Sequence, residues 1–406
     1  MNMNWQEKTS YATLLVSMAA IVIWWRLGII ALTLFSAVTI IKILTTPRRK
    51  EPPSRMLWLL IAYWLLYAIS ACYSHDRAEG WDTAVVKLFF LILPTLFLLD
   101  DTTYLTRRRI GAVFYVLVAA IVARFFICVG ISAYDYLHDV PLGTVKDWQY
   151  DPLDLHHSYL ALYISVAMAF LYSEAVSHHC HHPARWWIVS GLSAAVMLAY
   201  IAISRSRSGI LALALLAVAG MLHLFFVRKR RILALSIFAA IFAACGVAYL
   251  ANPGLDGIFG RFYALIYTRD LGITQDRTIL FQCCWEAACQ RPIFGYGSGD
   301  VMGILMQSYA QHDFRMGLNH HYDCHNQYME TLLECGLVGL AVLLTMLLAP
   351  LVAACRRGSR NLFTVLAIIC IATVIFFETM LGRQMGIQFV ALTYCLLITS
   401  LNVTRD

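Results

Sequence analysis

The residues with the clearest chemical content are His325-Asn326-Gln327-Tyr328, followed by Gly336 and Gly339. A neutral imidazole can accept a proton near physiological pH, so His325 is a candidate general base at the outer mouth of a helix. Asn326 is a candidate to support it. Small residues at 336 and 339 lie one turn apart and would let helices approach closely. The alternative for His325 is a structural histidine bound to a lipid headgroup or a backbone carbonyl.

Three arginines supply the second kind of chemistry. Arg205 and Arg207 stand in a short polar segment between two strongly apolar stretches, and Arg277 opens an amphipathic stretch. A guanidinium at a membrane boundary is costly without an anionic partner, and its planar fork suits phosphate oxygens. Several guanidiniums around one pyrophosphate would stabilise it as a leaving group. The alternatives are snorkelling to ordinary lipid headgroups and, for Arg277, a salt bridge to a nearby aspartate.

The composition places these residues in a membrane protein. Of the 406 residues, 60% are hydrophobic and 14% are charged, whereas soluble domains are about a quarter charged. This excludes a disordered chain, a nucleic-acid binder, a disulfide-stapled secreted domain and a single-span receptor. We predict an all-α polytopic membrane protein with about twelve transmembrane helices. The apolar runs lie at 11–25, 27–44, 56–73, 83–99, 110–133, 158–176, 186–203, 209–227, 232–251, 334–355, 361–381 and 386–402.

The basic residues predict the orientation. Clusters at 48–55, 107–109, 228–231 and 356–360 fall on one side of the membrane, and such clusters are retained in the cytoplasm, together with both termini. Three parts follow. They are helices 1–9 over 1–251, a large outward loop carrying catalytic elements over 252–333, and helices 10–12 over 334–406. The loop is too long to be unstructured in a compact protein, and short amphipathic helices are expected around 275–291 and 297–310.

Charges and thiols add further expectations. Arg124 within a span is expected to pair with an acid or a lipid phosphate, and Glu378 is expected to pair structurally or to line an acceptor entrance. Disulfides can form in an oxidising compartment. Sequence alone does not pair the cysteines in or near the loop, which are Cys283, Cys284, Cys289, Cys324 and Cys335.

The motif His325-Asn326, nine residues, Gly336, two residues, Gly339 resembles the outward-loop motif of the bacterial O-antigen ligases (the WaaL family). The turn Pro292–Gly297, the many spans and the late large loop also fit this family. The resemblance implies a multi-pass enzyme of the Gram-negative inner membrane. It implies transfer of O-antigen polysaccharide from undecaprenyl pyrophosphate to a sugar hydroxyl of the lipid A–core, on the periplasmic face. It also implies inversion at the anomeric carbon without metal or other cofactor, and no nucleic-acid partner.

The same resemblance assigns roles to residues. The motif histidine falls on His325, which becomes the general base, with Asn326 in support. Arg207 and Arg277 would bind the pyrophosphate. Because the family often has Ser-Arg-Gly-Ala where this chain has Ser206-Arg207-Ser208-Gly209, Arg205 stays an alternative to Arg207 and is expected to assist it.

Other functions remain open at this point. An O-antigen polymerase or a protein O-oligosaccharyltransferase, both in the same superfamily, would use similar parts. A transporter or flippase would need charges deep in several spans. A zinc-assisted hydrolase would draw on the stretch His320–His325, whose spacing fits no common zinc signature. A second histidine cluster at 178–182 is interpreted as a solvated surface tract.

Overall fold

The computed structural model describes residues 3–46, 54–138, 153–177, 182–204, 206–232, 235–236, 272–358 and 361–403. Within these ranges the side chains of 207 and 272–276 are not described. The predicted span at 232–251 falls almost entirely outside the described residues, as do Arg205 and most of the histidine cluster at 178–182.

Regular structure in the described part of the chain is helical throughout. The helices are α1 (Trp5–Ile23), α2 (Trp25–Thr45), α3 (Trp58–Tyr73), α4 (Arg77–Val86), α5 (Phe89–Leu99), α6 (Arg107–Leu137), α7 (His157–Ala175), α8 (Ala184–Ser204), α9 (Arg207–Leu222), α10 (Gly272–Gln290), α11 (Val301–Gln311), α12 (Arg315–His320), α13 (Gln327–Arg356), α14 (Leu362–Phe377) and α15 (Gln384–Asn402).

The lengths and apolarity of these helices confirm an all-α, multi-pass membrane protein. Eight described helices are long and apolar enough to cross a membrane, and the pair α4 and α5, bent by 43°, makes up to nine. Helices occupy each predicted apolar run that lies within the described residues. A bilayer core offers no hydrogen bonds to a bare backbone, which is why apolar runs of this length form helices.

Arg124 has a structural role on α6. Its side chain is fully buried and donates to the carbonyl oxygens of Val22, at 3.0 Å, and Ile23. These carbonyls lie at the end of α1, where orphan acceptors need partners. Two of the contacts of Arg124 are therefore to backbone carbonyls that end α1.

Two long-range contacts mark one end of the helix bundle. Arg107, at the start of α6, donates to Asn361 at the start of α14, at 2.9 Å, and Arg357 after α13 donates to the carbonyl of Leu401 on α15. Basic residues therefore cluster at the end that holds the start of α14. The other end of α14 reaches His325, at the opposite end of the bundle.

The helices α10 and α11 build a second, smaller core against the start of α13. Its fully enclosed members include Cys283, Leu305, Tyr309 and Leu333. This core holds the region around Arg277 and the segment before α13 in one packed unit, which is what positions the candidate site.

Candidate active site

A turn of the loop is inserted into a break in α13 at Gly336. Tyr296 and Gly297 donate backbone N–H bonds to the carbonyls of Leu333 and Glu334, at 2.8 and 3.0 Å. Leu337 and Val338 donate to the carbonyls of Pro292 and Ile293, at 2.7 and 3.3 Å. These are the donors and acceptors that an unbroken helix would pair with one another, four residues apart. The turn therefore replaces two helical hydrogen bonds with four of its own.

Gly336 makes this insertion sterically feasible. Its φ of 65° and ψ of −161° belong to a region that essentially only glycine occupies. A Cβ at this position would lie 2.1 Å from the carbonyl oxygen of Ile293. The sequence suggested that Gly336 and Gly339 allow close approach of another helix. At Gly336 the close neighbour is instead the inserted loop turn.

The loop is also fastened to the helices beside it. The carboxylate of Asp300 accepts backbone N–H bonds from His75 and Asp76, at 2.7 and 2.9 Å. The hydroxyl of Ser70 donates to that of Ser298 at 2.9 Å. The start of α13 is thus held from two sides, by α3 with its following turn and by the inserted loop.

Asn326 starts α13. Its side-chain oxygen accepts the backbone N–H of Tyr328 and of Met329, at 2.9 and 3.1 Å, which satisfies donors left unpaired at a helix start. The structure thus shows Asn326 as the N-cap of α13, and its support of His325 stays a prediction. Because this cap fixes the start of the helix at Gln327, it also fixes the position of His325, which directly precedes the cap.

His325 is held by an unusual backbone and by carboxylates. Its φ of 43° is uncommon for a residue with a side chain, and its backbone N–H donates to Asp323 Oδ1 at 2.8 Å. Its Nδ1 lies 3.0 Å from Glu378 Oε1 and 3.3 Å from Asp323 Oδ1. The imidazole is therefore oriented by one acid from its own segment and by another from the end of α14.

The second oxygens of both carboxylates are fixed as well. Thr379 Oγ1 donates to Asp323 Oδ2 at 2.6 Å, and Ser158 Oγ, on the first turn of α7, donates to Glu378 Oε2 at 3.5 Å. The set of Asp323, His325 and Glu378 thus joins two separate stretches of chain, and Ser158 on α7 adds a third. We refer to these three residues as the histidine–carboxylate cluster.

The carboxylates determine the proton state of the imidazole. The hydrogen bond with Glu378 raises the pKa of His325, burial opposes this, and the charges of Asp323 and Glu378 raise it further. Burial tends to raise the pKa of Glu378, but the hydrogen bond and charge of His325, with the charge of His156, bring it below its usual value. With Nδ1 facing carboxylate oxygens, Nδ1 carries the proton, and the neutral ring keeps its lone pair on Nε2. That is the arrangement of a general base.

The structure describes the three candidate arginines to different extents, and only Arg277 has a described effect on this cluster. Arg277 lies exposed on α10, and its positive charge acts on His325 to lower the pKa of the imidazole. Arg207 is the first residue of α9, after the cap Ser206, and its side chain is not described. Arg205 lies outside the described residues.

The backbone places the start of α9 near the same end of α7 as Glu378. Gly209 packs closely on α7, since a Cβ there would lie 2.8 Å from the Cβ of Ala161. Ser158, one turn before Ala161, donates to Glu378. The first turns of α7 therefore connect the segment that carries Arg207 with the carboxylate that holds His325.

The ligand-type atoms of the histidine–carboxylate cluster lie within 4.8 Å of one another, which is a spacing that could hold a metal ion. Carboxylate oxygens with one imidazole nitrogen suit Mn²⁺ or Zn²⁺ better than they suit softer ions. Of the zinc-type ligands in the stretch His320–His325, the structure brings only Asp323 and His325 into this cluster. His320 and His321 are exposed, and Cys324 is buried against another sulfur.

Two residues of the cluster were not assigned catalytic roles from the sequence. Glu378 is 53 residues from His325, and Asp323 entered only as one of several zinc-type ligands. A carboxylate at the end of an apolar run needs a partner, and this was the available signal for Glu378. His156, whose charge acts on Glu378, carried no signal in the sequence.

Comparisons with known proteins agree with this picture. Residues 192–344 match the family model described as O-antigen ligase. The chain is also 28% identical over 234 residues to the exopolysaccharide production protein ExoQ of Rhizobium meliloti (strain 1021), covering 52% of this chain and 49% of that protein. It thus spans about half the length of this curated relative. Both findings support the O-antigen ligase/polymerase superfamily, so the resemblance seen in the motif is confirmed.

The chain is also similar to the following solved structure. It is titled "Structural coordination of polymerization and crosslinking by a peptidoglycan synthase complex", with 14% identity, a TM-score of 0.47, and coverage of 85% of this chain and 95% of that chain. A likeness this low carries no argument about function.

The region around the site is therefore similar to O-antigen ligases, and the chain that carries it is a multi-pass membrane protein. The matched region contains α9, α10 and the break in α13, so it includes His325, Arg207 and Arg277.

Proposed function

We propose that this protein is an O-antigen ligase, which transfers O-antigen polysaccharide from undecaprenyl pyrophosphate to a sugar hydroxyl of the lipid A–core in lipopolysaccharide biosynthesis. The observation that carries the proposal is the histidine–carboxylate cluster, with the charge of Arg277 acting on its imidazole. A positioned base beside a guanidinium fits transfer from a pyrophosphate to a hydroxyl.

In this mechanism Nε2 of His325 accepts the proton of the acceptor hydroxyl as its oxygen attacks the anomeric carbon. Glu378 and Asp323 hold the ring and stabilise the imidazolium that forms. A positioned base of this kind contributes about 10²–10⁴-fold in rate. Attack from the face opposite the leaving group inverts the anomeric carbon.

The leaving pyrophosphate gains charge as the glycosidic bond breaks. Arg277 stabilises that charge from the loop, and Arg207 does so from the start of α9, with Arg205 assisting. Because the guanidinium fork is always charged and binds phosphate oxygens in pairs, these residues need no metal to neutralise the leaving group. No cofactor enters the scheme.

The proposed location is the inner membrane of a Gram-negative bacterium, with the site facing the periplasm and both termini in the cytoplasm. The basic end of the bundle, marked by Arg107 and Arg357, lies opposite the end with His325. Retention of basic clusters in the cytoplasm then turns His325 outward, where both lipid-linked substrates are exposed.

The test is in vitro transfer with a defined undecaprenyl-pyrophosphate donor and purified lipid A–core. We expect modified lipid A–core from the wild type and none from His325→Ala, while donor binding by His325→Ala stays near normal. His312→Ala is the matched control, because its imidazole lies in the same loop but pairs with Glu286 at 3.2 Å. Normal transfer by His325→Ala would refute the assignment of the base.

The same assay tests the metal alternative. A chelator should leave transfer unchanged if the cluster works through its proton. Loss of transfer on chelation, restored by adding Zn²⁺ or Mn²⁺, would replace the base mechanism with a metal-assisted one.

A second candidate is a polymerase that extends glycan on the lipid carrier. The similarity to an exopolysaccharide production protein favours it. Its parts would be the same, and only the acceptor would differ. Elongation of a carrier-linked repeat unit, with lipid A–core left unmodified, would select the polymerase over the ligase.

A further inference from the structure

Two cysteines of the loop meet next to the candidate site. Sγ of Cys284 on α10 lies 2.9 Å from Sγ of Cys324, in the segment before α13, compared with about 2.05 Å in a formed disulfide. Both side chains are buried, with 1% and 6% exposure. They are 40 residues apart in the sequence, so their meeting depends on the packing of the loop.

The other thiols in and near the loop have different surroundings. Cys283, which points away from its neighbour on the helix, contacts the carbonyl of Ser308 with its sulfur at 3.9 Å. Cys289 is exposed. Cys335 lies within α13 and contacts Ser70. The geometry therefore selects one pair among the cysteines that the sequence left unpaired.

We propose that Cys284 and Cys324 form a disulfide bond that ties the helix bearing Arg277 to the segment bearing His325. Cys284 follows Arg277 by seven residues, two helical turns on the same face of α10. Cys324 immediately precedes His325. The bond would fix the spacing of the two catalytic elements, and it rests on the outward, oxidising location proposed above.

The bond forms by thiol–disulfide exchange with a disulfide oxidant, either a protein or a small molecule. One cysteine thiolate attacks the oxidant to give a mixed disulfide, and the second thiolate then displaces the oxidant's remaining sulfur. The protein loses two protons and two electrons, and the oxidant leaves as two thiols. Since both sulfurs are enclosed in the folded loop, exchange takes place before the loop core closes. The finished bond is then shielded from reductants.

The experiment uses the full-length protein in membranes of cells that produce it. Free thiols are blocked with N-ethylmaleimide at lysis, and the denatured chain is labelled with a heavy maleimide with and without prior reduction. Peptide mass spectrometry then searches for a linked pair. We expect two additional labelled cysteines after reduction and a linked peptide containing Cys284 and Cys324. Cys284→Ala should abolish both signals, and Cys283→Ala, its neighbour on α10, should keep them.

Recovery of Cys284 and Cys324 as blocked thiols would overturn the disulfide. Labelling of exposed Cys289 by a membrane-impermeant maleimide in spheroplasts separates this failure from a failure of the proposed location. If Cys289 is labelled while the pair is free, only the disulfide is wrong. If Cys289 is also protected from the reagent, the outward placement of the loop fails with it.

Discussion

Substitution of Gly336 by alanine tests whether the inserted turn holds the site together. The left-handed backbone of Gly336 would cost an alanine about 1–3 kcal/mol, and overpacking of a filled interior adds about 1–3 kcal/mol. The new Cβ would lie 2.1 Å from the oxygen and 2.3 Å from the carbon of the Ile293 carbonyl. These are backbone atoms that cannot rotate away, so relief requires the turn to withdraw.

Withdrawal of the turn would break the hydrogen bonds that join it to α13, such as that from Tyr296 to the carbonyl of Leu333. The start of α13 and α10 would then lose their fixed relation, and a misplacement of about 1 Å can cost about 100-fold in rate. We expect Gly336→Ala to insert into the membrane with normal helix content, to lose at least that factor in transfer rate, and to expose its loop to protease.

The assay compares purified Gly336→Ala with the wild type in initial transfer rate, circular dichroism and limited proteolysis. Gly303→Ala is the matched control, because a Cβ at Gly303 would meet no atom within 4 Å. An alanine inside helix α11 should stabilise it by about 0.5–1 kcal/mol. If Gly336→Ala keeps both wild-type transfer and a protease-resistant loop, the turn does not position the site.

Three further outcomes follow from the cluster and the loop. Glu378→Gln should lower the transfer rate and move the acid limb of the pH–rate profile to lower pH. The reason is that the base form of His325 exists only above its pKa, and Glu378 raises that pKa. An acid limb that does not move in a pH titration of kcat/KM would contradict the pairing of Glu378 with His325. Arg277→Ala should reduce kcat by about 10²–10³-fold, which is the usual effect of removing a group that stabilises developing charge. Arg315 is exposed in the same loop, so Arg315→Ala should transfer at the normal rate in the same steady-state assay. Asn326→Ala should destabilise the protein by about 1 kcal/mol through loss of the cap, measured as a lower midpoint of thermal unfolding, and an unchanged midpoint would refute the capping role.

The membrane-spanning architecture was predictable because one physical constraint dominates it. Apolar runs in lipid must satisfy their own backbone, so their lengths alone located the helices. The same reasoning placed His325 and Asn326 at the mouth of a helix, and the structure finds them directly before α13. Local sequence was sufficient at these places because the deciding interactions are local.

The remaining features depend on contacts between distant stretches. Glu378 reaches His325 across 53 residues, and no local pattern announces such a pair. Gly336 was correctly singled out as a site of close approach, yet the partner is the turn around Ile293 instead of another helix. Spacing can indicate that a residue must be small, but only the packed chain identifies the atom that comes close.

The way the loop turn is attached to α13 limits which positions must be kept in related chains. The attachment uses main-chain groups of Tyr296, Gly297, Leu337 and Val338, which every sequence with suitable glycines can supply. Outward side chains on α11 and α12 take no part in those bonds, so they are free to diverge. Exposed residues of these two short helices can therefore be exchanged between relatives while the enclosed Leu305 and Tyr309 and the inserted turn keep their places.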